Sequence, residues 1–362
     1  MASEICKRRS GVVHWVGLDV SKAGFDAGFV AAGQKFPATR MCDVPADSFE
    51  RNRQGAELFL DWLDGIIASG VEPGRVRVVM EATGKYSVEL AVWLLERRPS
   101  LEPAIVCPSH TAAFIKSLGL RNKTDKLDAR ALGFYGVERE PVAYEPPTPE
   151  QAELQALSRW RDALVGEKIA LGNRAAEGTV SKFVRQLEAK RLRLLKADIE
   201  RTEAEMKKVV NSSPKLKHDV ELLCTIYGVA FVTATTIISE LGDLRRFDRA
   251  RKLTAFAGVS PRMYKSGTSV NGRTRMCKKG NPRVRSALYM SALTATRGNS
   301  DLKRTYTRLL NDGKEPMAAL GAIMRKLLCI MRIMLIKERP YEPDWKLHEN
   351  SRSTRYNNRK IA

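Results

Sequence analysis

The stretch Val12-Val13-His14-Trp15-Val16-Gly17-Leu18-Asp19-Val20 decides the fold of the first part of this 362-residue chain. It is almost continuously apolar, as expected for a β-strand that is buried on both faces. One residue breaks the pattern. The carboxylate of Asp19 would be costly to bury unless a cation, a metal ion or hydrogen bonds compensate its charge.

Short apolar runs and amphipathic segments then alternate over the first 145 residues. We predict further strands at 25–31, 34–39, 76–80 and 103–106, and helices at 48–69, 87–97, 109–118 and 125–137. Three strands followed by strand–helix alternation predict an α/β domain with a mixed sheet.

A proline-rich segment at 144–151 marks the end of this domain. The charged, leucine-bearing sequence that follows predicts two long helices paired as a coiled-coil hairpin. Beyond it the chain is expected to be mainly helical, with a hairpin turn at Asn271-Gly272. We therefore divide the chain into an α/β domain (1–145), a helical coiled-coil segment (146–210), a mainly helical C-terminal domain (211–345) and a basic, flexible tail (346–362).

The net charge of the chain indicates which class of partner it binds. The formal net charge is +21 and the sequence pI is about 9.9, which favours a polyanion such as nucleic acid. The alternative is an ordinary basic soluble protein. No uncharged apolar run reaches the ~18 residues of a membrane span, so we expect no membrane partner. Six scattered cysteines fit a reducing cytoplasm.

Four acids are candidates for a metal site. Asp19 lies inside the first strand, and Glu81 directly follows the strand at 76–80. Asp125 and Asp128 are three residues apart and share one face of a helix. Together they fit a hard divalent cation, with Mg²⁺ as the expected ion, of the kind that assists phosphoryl transfer.

Each of these acids also has an ordinary explanation. Asp19 pairs with a buried Arg or Lys, Glu81 begins a turn, and Asp125 caps a helix. Asp128 is solvated or pairs with Arg130. The sequence alone leaves both sets of explanations open.

The segment 262–285 is a second candidate site, because it holds eight basic residues and no acidic one. Its composition predicts phosphate binding. The hydroxyls of Ser266, Thr268, Ser269 and Thr274 are weaker candidates for catalysis, since a serine needs a base, a metal or a cation to become a nucleophile. A basic surface loop is the alternative. The candidate nucleic-acid-binding residues of the chain are Arg121, Lys123, Lys126, Arg130, Arg262, Lys265, Arg273, Arg275, Lys278, Lys279, Arg283 and Arg285.

A turn at 224–230 has two interpretations. It is either a helix-turn-helix-like hairpin whose backbone N–H groups hold phosphate, or a packing turn between two core helices.

Several of these segments together resemble the IS110 family of insertion-sequence transposases, which are DEDD-type recombinases guided by a bridge RNA. The resemblance spans most of the chain, and its pieces occur in the family's order. They are Gly17-Leu18-Asp19-Val20-Ser21-Lys22, Glu81-Ala82-Thr83-Gly84, the stretch 120–130 (LRNKTDKLDAR), the stretch 255–262 (AFAGVSPR) and the stretch 264–270 (YKSGTSV).

The resemblance implies an RNase H-like (RuvC-like) N-terminal domain followed by a helical linker and a transposase domain. It assigns Asp19, Glu81, Asp125 and Asp128 to catalysis and Mg²⁺ binding, and Ser266 to attack on a DNA phosphate through a covalent phosphoserine intermediate. The family's turn usually has a second glycine where this chain has Ala230.

The resemblance also implies partners. These are donor and target DNA, a noncoding bridge RNA, and further copies of the chain, as a dimer that forms a tetramer in the active complex. The expected location is the bacterial cytoplasm at the nucleoid, and Ser266 is expected to act within one chain or between two. Two other functions stay open: a RuvC-type structure-selective nuclease that uses water as nucleophile, and a nucleic-acid-binding protein without activity.

Overall fold

A computed structural model of the chain describes residues 11–120, 122–178, 181–266, 270–298 and 301–342, with the backbone alone at 263–266 and 270–273. The chain divides into two compact units, one through Pro146 and one from Pro147 onwards. None of the helices in the described ranges is long and apolar enough to cross a membrane.

The first unit is built on a five-stranded mixed sheet. Its strands are β1 (Val13–Val20), β2 (Gly24–Val30), β3 (Ala46–Glu50), β4 (Arg75–Glu81) and β5 (Ala104–Val106), in the spatial order β3-β2-β1-β4-β5. The first three strands are antiparallel, and β4 and β5 run parallel to β1. The predicted α/β class with a mixed sheet is confirmed, and the arrangement is consistent with an RNase H-like fold.

Helices cover both faces of this sheet. They are α1 (Arg53–Ala68), α2 (Lys85–Arg97), α3 (Pro108–Ser117) and α4 (Asp125–Arg139). Leu18 of β1 packs in one cluster with Phe59 of α1 and Leu90 of α2. Trp15 of β1 packs on the opposite face with Phe134 of α4. The central strand is thus buried on both sides, as its apolar sequence predicts.

The prediction of a third strand at 34–39 is wrong, because these residues form turns and the third strand lies at Ala46–Glu50. The true β3 is an edge strand with three exposed positions. Its sequence, Ala-Asp-Ser-Phe-Glu, therefore lacks the apolar alternation on which the prediction relied. Pro37 also removes a backbone donor from the segment that was expected to pair.

The second unit begins with a helical hairpin of α5 (Pro149–Glu177) and α6 (Lys182–Ser212). Thr148 and Gln151 form a capping box at the start of α5. The ion pairs Arg161–Glu203 and Arg191–Glu167 show that the helices are antiparallel. Part of the hairpin has its own small core of Leu164, Leu195 and Ile199.

The rest of the second unit is mainly helical, as predicted. Its elements are α7 (Pro214–Cys224), α8 (Phe231–Leu241), α9 (Ala250–Phe256), β6 (Pro261–Ser266), β7 (Val270–Met276), α10 (Pro282–Arg297), α11 (Asp301–Asn311) and α12 (Pro316–Lys337). The hairpin turn predicted at Asn271-Gly272 is misplaced. Asn271 pairs with Lys265 and Gly272 with Tyr264, so both lie inside β7.

Ion pairs to two buried carboxylates tie these helices together. Arg245 donates two hydrogen bonds to Asp219, at 2.7 and 2.8 Å. The carboxylate of Glu240, whose side chain is 1% exposed, accepts bonds from Arg159 of α5 and from Asn281, the N-cap of α10. Such pairs keep the charges satisfied where water is excluded.

Four glycines bring α4 unusually close to the sheet. Gly17 and Gly28 lie directly opposite each other on β1 and β2. A Cβ atom added to Gly17 would overlap the backbone of Ala129 and Gly133, and one added to Gly28 would lie 2.7 Å from the backbone nitrogen of Arg130. At Gly136 the added atom would meet the Trp15 ring at 2.6 Å. The first turns of α4 therefore rest on bare strand backbone.

We expect Gly17→Ala to lower the free energy of unfolding by at least ~2 kcal/mol, because the new methyl group forces α4 away from β1. The midpoint of urea unfolding, followed by circular dichroism, measures the change. Gly65→Ala in α1 is the matched control, because open space surrounds that position. It should leave stability unchanged or raise it by ~0.5–1 kcal/mol. Equal midpoints for Gly17→Ala and Gly65→Ala would contradict the close contact.

Candidate active site

Three carboxylates lie side by side on the face of the sheet that α4 covers. Asp26 of β2 is paired directly with Asp19 of β1. On the other side of β1, Leu18 is in register with Met80 of β4, which puts Glu81 level with Asp19. Side chains alternate between faces along a strand, so Asp19 shares its face with Gly17, and Glu81 shares it with Val79.

Helix α4 adds two more carboxylates above this row. The helix runs antiparallel to β1, with Gly136 over Trp15 and Ala129 over Gly17. Two residues along a strand advance ~6.7 Å, and four residues along a helix advance ~6 Å. Moving by this distance leads from Gly17 to Asp19 along β1. It leads from Ala129 to the first turn of α4, which contains Asp125 and Asp128.

The charges of these groups act on one another. Burial is the largest cause that raises the pKa of Asp19, and the negative charges of Asp128, Asp125, Glu81 and Asp26 add to it in that order. Together they bring this pKa to about 6. In the described parts of the chain, no cation forms an ion pair with Asp19. The structure thus brings the four predicted acids together, with Asp26 as a fifth.

The pKa of Asp128 is also raised. Its first cause is burial, which the negative charge of Asp125 reinforces and the positive charge of Lys123 opposes. The Lys123 ammonium lies 4.0 Å from the Asp128 carboxylate, and its own side chain is 86% exposed. This weak, solvated pair leaves the cluster with a surplus of negative charge.

Neighbouring hydroxyls orient two of the carboxylates. The hydroxyl of Thr111, which is fully buried, lies 2.9 Å from Oε2 of Glu81 and 3.0 Å from the carbonyl oxygen of Pro108. The hydroxyl of Ser48 donates to Asp26 at 2.6 Å. Both contacts fix the direction in which a carboxylate oxygen points.

Three of the ordinary explanations for the acids do not describe this structure. Asp19 has no buried Arg or Lys partner among the described residues. The cap of α4 is Thr124, whose hydroxyl accepts from the N–H of Leu127, rather than Asp125. Arg130 donates to the carbonyl oxygen of Val44 instead of pairing with Asp128.

The donor set fits a hard divalent cation by its chemistry. Carboxylate oxygens are the ligands that such ions prefer, and an ion would offset the repulsion that raises the pKa of Asp19. Across the described ranges, however, no three His, Cys, Asp or Glu side chains are arranged as a ready-made metal cage. Binding an ion therefore requires the carboxylates to draw together.

The predicted nucleophile lies on the β-hairpin of the second unit. Ser266 ends β6, and its backbone pairs with that of Val270. Its side chain, with those of Lys265 and Arg273, lies outside the described residues, as do Thr268 and Ser269 entirely. The role of Ser266 stays a prediction.

The candidate nucleic-acid-binding residues have different surroundings. Exposed members are Lys123, Lys126, Arg262, Arg275, Lys278 and Lys279. Three others are engaged within the protein: Arg130 with Val44, Arg283 with Asp162, and Arg285 with the carbonyl of Gly280. Arg121 lies outside the described residues.

The turn at 224–230 packs against α10. A Cβ atom added to Gly228, whose φ is +90°, would lie 2.8 Å from the carbonyl oxygen of Ser291. This favours the interpretation as a packing turn between α7 and α8.

Asp26 and Thr111 are the residues that the sequence analysis missed. Asp26 alternates with apolar residues in β2, so it reads as an ordinary solvent-facing position. Only its pairing with Asp19 shows otherwise. The signal for Thr111 is equally indirect, because it depends on α3 meeting the end of β4.

Comparisons with known proteins agree with this geometry. A DEDD-type transposase model of the IS110 family matches residues 16–178, and the model described as "Transposase IS116/IS110/IS902 family" matches residues 220–307. The chain is 30% identical over 336 residues to the pilin gene-inverting protein of Moraxella bovis, covering 92% of this chain and 99% of that protein. It is 26% identical over 298 residues to the transposase for insertion sequence element IS1111A of Coxiella burnetii, covering 73% and 79%.

A carboxylate cluster on a β3-β2-β1-β4-β5 sheet, within a DEDD-type domain, defines a DNA-processing enzyme of the transposase and recombinase class. The chain belongs to the IS110 family of insertion-sequence transposases. The DEDD domain also suggests dependence on a divalent metal ion.

We expect Thr111→Val to reduce metal-dependent DNA cleavage about 10- to 100-fold, because a hydrogen bond that orients the carboxylate of Glu81, a predicted metal ligand, is lost. The valine has nearly the same shape, so thermal unfolding should change little. Cleavage of a labelled DNA substrate gives the rate. Thr111→Ser keeps the hydroxyl and should recover most of it. Normal cleavage by Thr111→Val would exclude a positioning role.

Proposed function

We propose that this transposase cuts and rejoins DNA with Mg²⁺ held by Asp19, Glu81, Asp125 and Asp128, and with Ser266 as the nucleophile. The observation that carries the proposal is the convergence of these four acids on the α4 face of the sheet. The bound ion would neutralise phosphate charge and activate the attacking group.

The protein's own residues prepare this site. The buried sheet face excludes water from one side of Asp19, and Thr111 holds an oxygen of Glu81 in position. Lys123 and Lys126, at the start of α4, are exposed beside the acids and can attract the DNA backbone. Cations at the rim and carboxylates in the centre together suit a phosphate bound through a metal ion.

The proposed serine step conserves the phosphodiester energy. A bond forms between Oγ of Ser266 and the phosphorus atom, and one bond from phosphorus to a deoxyribose oxygen breaks. The serine loses its proton, and the released sugar oxygen gains one. A hydroxyl of another DNA strand then attacks the phosphorus atom and loses its proton, while the bond from phosphorus to Oγ of Ser266 breaks and Oγ regains a proton. This step rejoins the DNA and frees Ser266, so no additional energy source is needed.

We also propose that a noncoding bridge RNA selects donor and target DNA, as the family resemblance implies. The net charge of +21 suits both RNA and DNA backbones. The name of the Moraxella bovis relative says that it inverts a pilin gene. Inversion of a gene is compatible with cutting and rejoining of two DNA sites.

The helical hairpin supports a homo-oligomer. Its outer part exposes large apolar side chains that water would not favour, namely Ile169 (55% exposed), Phe183 (67%), Leu187 (51%) and Leu194 (48%). A second copy of the chain, pairing through the same hairpin, would cover them.

We predict that Mg²⁺ raises the melting temperature of the wild-type protein by about 2–8 °C at saturation, because it binds only the folded carboxylate cluster. In Asp19→Asn the metal-free protein should melt higher than wild type, since repulsion is relieved, and the Mg²⁺ effect should vanish. Differential scanning fluorimetry measures both.

The matched control for this experiment is Asp61→Asn, on an exposed position of α1, which should keep the full Mg²⁺ response. A full response in Asp19→Asn would remove Asp19 from the metal site. This readout is independent of enzymatic activity.

We predict that wild-type protein, RNA from the flanks of its element and DNA form a covalent protein–DNA adduct, whereas Ser266→Ala forms none. Denaturing gels with labelled DNA detect the adduct. Because only the hydroxyl is removed, binding of RNA and DNA to Ser266→Ala should be unchanged.

Other outcomes would contradict parts of the proposal. Normal recombination by Ser266→Ala would exclude the serine mechanism. Cleavage without an adduct would favour the alternative of a RuvC-type nuclease that uses water. Full recombination after RNase treatment would exclude the RNA guide.

A further inference from the structure

An aromatic and cationic surface lies at the base of the β6–β7 hairpin, far along the chain from the carboxylate cluster. The ring of Phe256, at the end of α9, is 50% exposed. It packs against the ring of Phe247, with 5.5 Å between the centroids. The guanidinium of Arg246 lies 5.0 Å from the Phe247 ring and 5.5 Å from the Phe256 ring.

The backbone of this platform is firmly held. Arg332 of α12 donates two hydrogen bonds to the carbonyl oxygen of Phe247, at 2.9 and 2.5 Å. Arg246 donates to the carbonyl oxygen of Leu241 at 3.1 Å. The platform formed by Arg246, Phe247 and Phe256 is therefore preorganised, and its exposed ring is not part of a loose surface loop.

A basic turn lies against the same place. The N–H of Lys278 bonds to the carbonyl of Gly258, and Gly280 approaches the carbonyl of Phe256 so closely that an added Cβ would lie 2.5 Å away. Lys278 has a φ of +54°, a left-handed conformation that lysine rarely adopts. The packing thus holds the Lys278-Lys279-Gly280 turn against the backbone of Phe256 and Gly258.

The charge around the ring is strongly one-sided. The segments 246–256 and 278–280 carry six exposed cations against one acid, Asp248, which pairs with Lys252. The exposed cations are Arg246, Arg249, Arg251, Lys252, Lys278 and Lys279. Binding of an apolar protein surface to the Phe256 ring would not require this positive charge. Binding of a nucleic acid would, because its phosphate backbone is negatively charged.

We propose that the exposed ring of Phe256 stacks on an unpaired base of a single-stranded nucleic acid. The side chains of Lys278, Lys279 and Arg246 bind the adjoining phosphates. Every base has a π-face, so stacking of this kind does not depend on sequence. This binding site rests on the proposed function, because it would hold unpaired nucleotides of the DNA or RNA substrate. It does not depend on metal binding or on Ser266 as the nucleophile.

The platform also fits the order of the chain. β6 begins at Pro261, five residues after Phe256, and β7 returns at Met276, just before the basic turn. A nucleic-acid strand bound to Phe256 would therefore lie next to the open end of the β6–β7 hairpin that carries Ser266. Unpaired nucleotides arise wherever duplex DNA is opened or RNA loops are bound.

The test measures dissociation constants of the full-length protein for three fluorescein-labelled probes: oligothymidylate, oligouridylate and a blunt DNA duplex of equal length. Fluorescence polarisation at several salt concentrations gives each constant. Phe256→Ala should weaken single-strand binding about 5- to 100-fold, the range expected for loss of one stacked base. Duplex binding should change less than about twofold.

Two further variants separate stacking from charge. Phe256→Tyr keeps the ring and should bind single strands like wild type, whereas Phe256→Leu should resemble the alanine variant. Because no charge is removed, Phe256→Ala should keep the salt dependence. Lys279→Ala should reduce the slope of log K against log salt by about 0.7.

Met290→Ala is the matched control, because Met290 of α10 is an exposed apolar side chain of similar exposure, at 56%. It should not affect binding. Wild-type affinity in Phe256→Ala, rescue by leucine as good as by tyrosine, or equal loss for duplex and single strands would overturn the proposal. Loss for oligothymidylate or oligouridylate alone would identify DNA or RNA as the strand bound. These assays do not depend on cleavage, so they remain decisive even if Ser266 is not the nucleophile.

Discussion

The contact between α4 and the bare backbone of β1 and β2 is the constraint on which the candidate active site depends. Gly17 and Gly28 leave room for the helix, and Gly133 and Gly136 let it settle over Val30 and Trp15. Larger side chains at these positions would lift the helix, and its first turn would no longer overhang Asp19. The glycines that allow α4 to pack closely on the sheet therefore also determine the positions of Asp125 and Asp128.

This arrangement stores electrostatic repulsion in a chain that is otherwise strongly basic. Burial and four neighbouring carboxylates raise the pKa of Asp19 to about 6, although the formal net charge of the chain is +21. Folding tolerates the repulsion because the acids lie at or near the ends of well-packed elements. A divalent cation would relieve it, which is why the cluster suits metal-assisted chemistry better than a purely structural role.

Much of the fold could be predicted because its signals are local. The apolar run at Val13–Val20, the proline and Asn start signals of α10, and the capping box at Thr148 each identify an element within a few residues. β3 was misplaced because an exposed edge strand has no apolar pattern. The turn was misplaced at Asn271-Gly272 because cross-strand register, which local turn preference does not fix, puts both residues inside β7.

The candidate site was predictable in part for the same reason. Asp19 and Glu81 stand out against apolar strands, and the spacing of Asp125 and Asp128 puts them on one helix face. Asp26 and Thr111 did not stand out, because their roles arise only from strand pairing and from the position of α3. The family resemblance, rather than residue chemistry, distinguished Ser266 from Ser269.

The most direct test of the central claim is anomalous diffraction from crystals of the protein soaked in Mn²⁺, which replaces Mg²⁺ in oxygen-ligand sites. We predict an anomalous peak within bonding distance of the Asp19 carboxylate and of at least one carboxylate from the first turn of α4. A peak elsewhere, or none at these acids in crystals saturated with the ion, would contradict it.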